Sequence, residues 1–334
     1  MRLSICIPTR NRPVQLRNCL NSIYLSKKIS NLEFDVCISD NGSNYDIKEL
    51  IKEFDGKIKI KVNCNKENIG YQLNLIKTIS MSDSEFVWAI GDDDLILPDG
   101  LVKVEKLLKK FKNLDFFYVN SFCLDYGFIK KFDQPFDTNN LPKNMIKLSQ
   151  KKEQMECTFW DLIDYKVSFD FLMGNFTNIF RRKNWDQNIN CLDEKLLQDH
   201  RVGANLDSTC GYIKIYANAF KNSKALFYPE PVSVNCSGIR EWSPKYELIE
   251  IVILPKILDY YFKKGLSLKK YLINKNYALR NFANYFLKIL LRGKEGGLQY
   301  INFYSDFVKN LIFPNAYLSI FYYIIRIFKF KKNK

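Results

Sequence analysis

Asp92, Asp93 and Asp94 are three consecutive carboxylates, and they give the clearest indication of a chemical function in this chain. They follow the apolar run 86–90, which is typical of a short strand buried on both faces. Such a cluster cannot be buried uncompensated, so it lies in water, is partly protonated or holds a cation. Mg²⁺ or Mn²⁺ would accept carboxylate oxygens and leave positions for phosphate oxygens. A solvated acidic turn before a helix near 98–100 is the alternative, and the position after a strand favours the ion.

Two more polar loops follow predicted strands in the same way. Residues 9–12 follow the apolar run 3–8, and residues 40–43 follow the strand-like stretch 34–39. The alternation of short strands with helices of about a dozen residues predicts an α/β fold, with a mostly parallel sheet covered by helices on both faces. Right-handed crossovers would then bring these two loops and residues 91–94 to one edge of the sheet.

The other elements follow from periodicity and turn residues. Residues 125–154 show little periodicity and form either a mobile lid or a boundary within the chain. The pattern predicts helices over 45–54, after 68–71 and over 100–111, an edge strand over 57–63, and strands over 116–119, 210–216 and 225–235.

The charge balance indicates a polyanionic partner. The 334 residues include 51 Lys and Arg against 36 Asp and Glu, a net charge of +15. Nucleic acid, an anionic membrane surface and phosphorylated substrates all fit this charge. The aromatic residues fall at helical core spacing and do not alternate with arginine as a base-stacking platform would, which argues against nucleic acid.

Cysteine and histidine usage excludes several kinds of site. The nine cysteines include no CxxC pair, which favours reduced thiols in the cytosol over a disulfide framework or a zinc site. His200 is the single histidine, so no metal centre can use two. The first thirteen residues lack an apolar stretch of signal-peptide length, and we expect no export signal.

The last part of the chain, 246–334, has apolar and aromatic helical patterns separated by basic residues. Its uninterrupted apolar stretch, 316–325, is shorter than the ~20 residues of a spanning helix. The basic residues after it favour a segment lying in the headgroup region of an anionic membrane. A core or dimer helix with a solvated basic tail is the alternative.

Five motifs, taken in order, resemble those of the inverting family 2 glycosyltransferases with the GT-A nucleotide-sugar-binding fold. ICIPTRNRP, residues 5–13, looks like the opening strand and loop of that family. Residues 40–43 are similar to its DDGS turn, residues 68–70 to its NxG motif and residues 91–94 to its metal-binding DxD region. Residues 197–199 resemble the segment that supplies the catalytic base. The likeness extends over about residues 1–235.

The resemblance implies three functional parts. Residues 1–124 would form the nucleotide-sugar-binding half of the GT-A domain, 125–245 the acceptor-binding half, and 246–334 a helical membrane-associating region. Asp199 would be the catalytic base, and Asp92, Asp93 and Asp94 would hold Mn²⁺ or Mg²⁺. The residues expected to bind the nucleotide sugar are Pro8, Thr9, Arg12, Asp40, Asn41, Asn68, Gly70, Asp92, Asp93, Arg240 and Trp242.

Several of these residues have structural alternatives. Asp40 would accept a hydrogen bond from the base, or it caps a turn. Asp199 would take the acceptor proton, or it pairs with Arg201 or caps a helix. Arg240 would pair with a phosphate and Trp242 would stack on a sugar, or the loop is simply exposed.

The chain also departs from the family pattern at three positions. Asn41 replaces a second Asp, Gln198 replaces a common Glu, and Gly91 lies where the first Asp of the DxD motif often stands. The third departure leaves open which two carboxylates touch the ion. Many GT-A enzymes also use a late histidine as a metal ligand, and this chain has none after His200.

The resemblance implies a metal-dependent inverting glycosyltransferase, peripheral to the cytoplasmic face of a bacterial inner membrane. It would transfer a sugar from a nucleotide-sugar donor to a lipid-diphosphate-linked glycan on undecaprenyl diphosphate, in O-antigen, lipopolysaccharide or capsule biosynthesis. The residues in these motifs are similar to those of the abequosyltransferases, and this likeness implies abequosyl transfer from a CDP-sugar. A non-catalytic basic protein with this fold, bound to a membrane surface or nucleic acid, is the alternative. A nucleotidyltransferase would need a glycine-rich phosphate loop, and TRNRP contains no glycine.

Overall fold

A computed structural model describes residues 2–238, 242–321 and 323. The chain divides into two compact units, Met1–His200 with Cys210–Ile239, and Arg201–Thr209 with Arg240–Lys334. The functional division expected at 124/125 and 245/246 stays a prediction.

In the part of the chain that the structure describes, ten strands form one sheet in the first unit. They are β1 (Leu3–Thr9), β2 (Phe34–Asp40), β3 (Ile60–Cys64), β4 (Phe86–Ala89), β5 (Leu95–Ile96), β6 (Phe116–Asp125), β7 (Ile146–Lys147), β8 (Met155–Thr158), β9 (Asn178–Arg181) and β10 (Lys224–Ser237). The order is β3-β2-β1-β4-β9-β6-β10-β5, with β7 beside β6 and β8 beside β10.

The sheet is mostly parallel, as the sequence predicts. β1 runs parallel to β2 and to β4, β2 parallel to β3, and β6 parallel to β10. β9 lies antiparallel between β4 and β6, and β5, β7 and β8 are short antiparallel additions. All residues of β1 and β4 are buried, which explains their continuous apolar runs. β3 lies at the edge, as its alternating pattern predicts.

Helices cover the sheet and form the second unit. Pro13 begins the first helix, where its fixed φ and missing N–H cost nothing. Among the described residues before 314, the α-helices are α1 (Pro13–Lys27), α2 (Ile47–Lys52), α3 (Tyr71–Ser80), α4 (Gly100–Lys110), α5 (Tyr126–Ile129), α6 (Arg182–Asp186), α7 (Glu194–Leu197), α8 (Leu206–Ala219), α9 (Tyr246–Leu248), α10 (Leu254–Lys264), α11 (Leu268–Ala278) and α12 (Phe282–Arg292).

The strand predicted over 210–216 is wrong, because these residues belong to α8. Tyr212, Ile213 and Tyr216 are all buried, so the helix is apolar on more than one side and its short apolar sequence resembles that of a buried strand. The strand predicted over 225–235 is confirmed within β10, and its register shifts fall around Pro231.

The stretch 125–154 is packed onto the first unit. Tyr126, Ile129 and Phe136 are buried in a hydrophobic cluster with residues of β5 and β10. Asn18 of α1 fixes the segment further, since its Oδ1 accepts the Phe136 N–H at 2.8 Å. This segment therefore covers the sheet near the acidic loop.

The second unit is helical, as predicted for the C-terminal region. Its buried cluster is built around Leu248, Leu279, Phe282 and Phe313, and residues 314–321 are helical. Within the ranges the structure describes, no helix has the length and apolar character needed to cross a bilayer. Most of the predicted basic tail, residues 322 and 324–334, lies outside the described residues.

Candidate active site

The loops after β1 and β4 meet in a cluster of charged side chains. Thr9 Oγ1 donates a hydrogen bond of 2.8 Å to Asp92 Oδ2. Arg12 Nη1 lies 3.2 Å from Asp92 Oδ1 and 3.3 Å from Asp93 Oδ2. Asp92 and Asp93 are only 5% and 7% exposed. The crossovers thus bring together the two loops that the sequence places at one edge.

One guanidinium does not fully compensate these two carboxylates. The pKa of Asp92 is raised to about 7, first by burial and then by the charge of Asp93. Arg12 acts in the opposite direction, and so does the hydrogen bond from Thr9. A cation that compensates the two carboxylates more fully than this single guanidinium would therefore stabilise their ionised form.

Asp94 is held differently from its two neighbours. Its Oδ2 accepts the Gly91 N–H at 2.8 Å, and its Oδ1 accepts from Asn235 Nδ2 of β10 at 2.8 Å. Both oxygens therefore stabilise the turn and tie it to the neighbouring strand. Its role as a metal ligand stays a prediction.

The residues present fit a divalent ion through two carboxylates. Among the described residues, no group of three Asp, Glu, His or Cys side chains is arranged around one point. Mg²⁺ in nucleotide sites is commonly held by one or two carboxylates, with water and phosphate oxygens completing the shell. Asp92 and Asp93, buried and incompletely compensated, provide such a pair.

Asp40, at the end of β2, is the centre of a second loop. Its carboxylate accepts the Ser43 N–H at 3.3 and 3.2 Å and the Ser43 hydroxyl. Ser43 Oγ in turn accepts the Asn11 N–H at 2.8 Å, which joins this loop to the loop after β1. Asp40 thus forms a turn, and its contact with a nucleotide base stays a prediction.

Asn41 has a structural reason to be an amide. Its Nδ2 donates to Asn68 Oδ1 at 2.8 Å, while its Oδ1 accepts the Ile69 N–H at 2.9 Å. Asn68 Oδ1 also accepts the Gly70 N–H at 2.9 Å. A carboxylate at position 41 would accept but not donate, so the departure from the family's second Asp suits this network. Asn41 and Asn68 shape the loop before α3.

The segment that carries Asp199 lies beside this loop. Gly70 has φ 84°, and a Cβ added there would lie 2.6 Å from His200 Cδ2. A groove runs along α3 and is lined by Asn68, Gln198 and His200 together with apolar side chains of α3. Asp199 lies between Gln198 and His200 in the chain and is partly exposed. Its role as base stays a prediction.

Tyr45 is a candidate that the sequence analysis missed. It precedes α2, which begins at Ile47 after its N-cap Asp46. Burial and the charge of Asp40 raise the pKa of Tyr45 to about 12. Thr9 and Ser43 lie near enough to lower this pKa, but the buried hydroxyl makes no hydrogen bond of good geometry within the described residues. Tyr45 lies two residues after the turn 40–43, and this position in the sequence could have marked it as a site residue.

Three other predicted residues differ in their settings. Pro8 is buried in β1 opposite Ser39 of β2. Trp242 belongs to the second unit, where its ring lies 6.5 Å from that of Tyr246. Arg240 lies outside the described residues. The binding roles expected of Pro8, Trp242 and Arg240 stay predictions.

The sequence profile of glycosyl transferase family 2 matches residues 4–182, a range that contains the charged loops after β1, β2 and β4. The chain belongs to glycosyl transferase family 2. As in the resemblance drawn from the motifs, the acidic loop and the NxG loop lie inside the matched range.

Two curated relatives of this family 2 chain share part of its length. It is 33% identical to the abequosyltransferase RfbV of Salmonella typhimurium over 110 residues, 32% of this chain and 33% of that protein. It is 32% identical to the chondroitin synthase of Escherichia coli over 94 residues, 28% of this chain and 13% of that protein. The match thus spans a third or less of either relative.

Solved structures show that the family 2 chain has the GT-A fold. TarS of S. aureus in complex with UDP superposes with a TM-score of 0.60 at 17% identity, over 93% of this chain and 81% of that one. The mannosyltransferase PcManGT of Pyrobaculum calidifontis, in complex with GDP-Man and Mn²⁺, gives 0.51 at 14% identity, over 89% and 78%.

Proposed function

We propose that this glycosyltransferase transfers one sugar, with inversion, from a nucleotide-sugar donor to a lipid-diphosphate-linked glycan. The observation that carries the proposal is the cluster of Thr9, Arg12, Asp92 and Asp93 beside the loop of Asp40. The partial match to an abequosyltransferase favours O-antigen or lipopolysaccharide biosynthesis, with undecaprenyl diphosphate as the carrier and a CDP-sugar as one donor to test.

The donor would bind across the loops after β1, β2 and β4. Complexes of TarS with UDP-GlcNAc and of PcManGT with GDP-Man and Mn²⁺ support a nucleoside diphosphate sugar and a divalent ion. Asp92 and Asp93 would hold Mn²⁺ or Mg²⁺, whose charge stabilises the departing diphosphate. Asp40 accepts a hydrogen bond from the base, and Tyr45 donates one to a donor oxygen.

Asp199 is the proposed general base. It accepts the proton of the acceptor hydroxyl while that oxygen bonds to the anomeric carbon of the donor sugar. The bond from this carbon to the phosphate oxygen breaks, and its electron pair leaves with the nucleoside diphosphate. Attack from the face opposite the leaving group inverts the anomeric configuration. The groove beside Gln198 and His200 receives part of the acceptor.

Exposed apolar residues of the second unit support an acceptor held in a membrane. Leu291 of α12 is 87% exposed and Ile312 is 77% exposed. Leu287 and Leu290 lie on the same side of α12 as Leu291, while Ile289 is buried. A helix that is apolar on both its buried and its exposed sides needs a further apolar contact. An anionic membrane surface supplies this contact and attracts the basic chain, on the cytoplasmic face of the inner membrane.

Release of nucleoside diphosphate from a panel of CDP-, UDP- and GDP-sugars tests the proposal. With Mn²⁺ and a membrane extract as the acceptor source, we expect release from one donor class. Asp199→Asn should lower the rate by about 10²-fold or more, the contribution of a general base. The exposed Asp186→Asn is the control, because Asp186 pairs with Arg182 on α6. Equal rates for wild type and Asp199→Asn, or no release from any donor, would refute the function.

A further inference from the structure

We propose that Arg12 and the divalent ion compete for the same two carboxylates, and that a nucleoside diphosphate resolves the competition by drawing Arg12 away. The inference rests on the proposed function, because it takes the ion and the diphosphate from it. It assigns Arg12 a second role beyond nucleotide binding. Arg12 is the resident counter-ion of the metal site.

The geometry would place the two cations close together. One nitrogen, Arg12 Nη1, approaches Asp92 Oδ1 at 3.2 Å and Asp93 Oδ2 at 3.3 Å. An ion bound about 2.1 Å from either oxygen would lie within about 5 Å of this nitrogen. Two cationic groups at that separation repel each other strongly where water is largely excluded. Ion binding therefore favours movement of the guanidinium away from the carboxylates.

A bound diphosphate gives the displaced guanidinium a new partner. Arg12 lies between β1 and α1, and its side chain is about one-fifth exposed, so it is not enclosed by the core. Its planar fork matches phosphate oxygens as well as carboxylates. After the exchange, the carboxylates bind the ion, the ion binds the diphosphate, and the diphosphate binds Arg12. All charged groups remain paired throughout.

The exchange predicts that ion and nucleotide help each other to bind. Each ligand removes a cost that the other would have to meet alone, and this coupling must be reciprocal. In the wild-type protein, a nucleoside diphosphate should therefore raise Mn²⁺ affinity by at least about tenfold. Removal of the positive charge at position 12 should weaken this coupling.

The test measures Mn²⁺ binding to the full-length protein by electron paramagnetic resonance, first alone and then with CDP, UDP or GDP. Without nucleotide, Arg12→Gln should bind Mn²⁺ at least about tenfold more tightly than wild type. Arg12→Lys keeps the charge and should remain near wild type. Arg10→Gln is the control, since Arg10 is an exposed residue of the same loop.

Unchanged or weaker Mn²⁺ binding by Arg12→Gln would overturn the exchange, and so would an equal gain in Arg10→Gln. The effect of nucleoside diphosphate on Mn²⁺ affinity is measured in the wild-type protein, so poor folding of Arg12→Gln does not remove the test. If nucleoside diphosphate leaves the Mn²⁺ affinity of the wild type unchanged, the exchange is also overturned. Tighter Mn²⁺ binding by Arg12→Gln, together with no sugar transfer by the wild-type protein, would refute the proposed function alone. Normal transfer with unchanged Mn²⁺ affinity would refute the exchange alone.

Discussion

The imidazole of His200 packs against Gly70 so closely that a Cβ on Gly70 would lie 2.6 Å from His200 Cδ2. This contact connects the loop before α3 with the segment that carries Asp199. Gly70 also has φ 84° and ψ 155°, a backbone conformation that is essentially limited to glycine. The position of the proposed base thus depends on the absence of a side chain at residue 70.

Gly70→Ala should lower both stability and activity. The strained backbone costs roughly 1–3 kcal/mol, and the collision with His200 displaces the segment next to Asp199. We expect a lower melting temperature and at least about a tenfold fall in kcat/KM, the scale of a misplaced reacting group. Thermal unfolding and nucleoside diphosphate release measure the two effects.

The double variant Gly70→Ala with His200→Ala separates the two causes. His200 is exposed, so His200→Ala alone should change stability by no more than about 0.5 kcal/mol. Removal of the ring from Gly70→Ala should restore part of the lost stability, an interaction of about 0.5 kcal/mol or more. Additive effects would show that the two residues do not touch.

Asp92 and Asp94 should respond oppositely to substitution. Asp94→Ala removes the hydrogen bonds that Asp94 accepts from the Gly91 N–H and from Asn235 Nδ2, which should cost about 1–3 kcal/mol in the free energy of unfolding. Asp92→Asn removes one of two adjacent buried negative charges and should leave the free energy of unfolding equal or higher, while Mn²⁺ binding is lost. Denaturant unfolding and Mn²⁺ titration test the pair. Equal destabilisation by both would contradict these separate roles.

Tyr45→Phe should weaken nucleotide binding without destabilising the protein. The buried hydroxyl makes no hydrogen bond of good geometry among the described residues, so its removal should cost little stability. Loss of a bond to a charged donor oxygen should raise the Kd for nucleoside diphosphate by about tenfold. Tyr24→Phe, near the C-terminal end of α1, is the control. Calorimetry showing the same Kd for both variants and wild type would exclude Tyr45 from the site.

Binding to lipid vesicles should depend on the second unit. Ile312→Glu should reduce binding to vesicles containing phosphatidylglycerol, because it places a charge on the exposed apolar surface. Ile146→Glu is a control of the same chemistry, since Ile146 of β7 is 73% exposed against 77% for Ile312. Co-sedimentation measures the bound fraction. If both variants bind as wild type does, or if both lose binding alike, the proposed membrane surface is wrong.

Much of the first half of the fold could be predicted because its signals are local. Short, largely apolar stretches mark β1, β2 and β4, and polar turn residues directly follow each of them. Because crossovers between parallel strands are right-handed, the loops after these strands are predicted to lie at one edge of the sheet. The antiparallel strand β9 could not be found this way, since its four residues lie within an aromatic stretch and pair only through tertiary contacts.

The site was predicted in outline but not in its internal contacts. The acidic triplet is visible in the sequence, yet only the fold shows that Asp94 turns toward Gly91 and Asn235. The bridge from Arg12 to Asp92 joins residues far apart in the chain, and no periodicity predicts it. The amide requirement at Asn41 likewise depends on an Asn68 partner that is supplied by another loop.

Calorimetric titration of nucleoside diphosphate in the presence of Mn²⁺ tests the central claim most directly. Wild type should bind one of CDP, UDP or GDP at a single site. Asp92→Asn combined with Asp93→Asn should weaken that binding at least about tenfold, while Asp186→Asn should bind as wild type does. Equal affinity of all three proteins for every nucleotide, or no binding to any of them, would contradict the account.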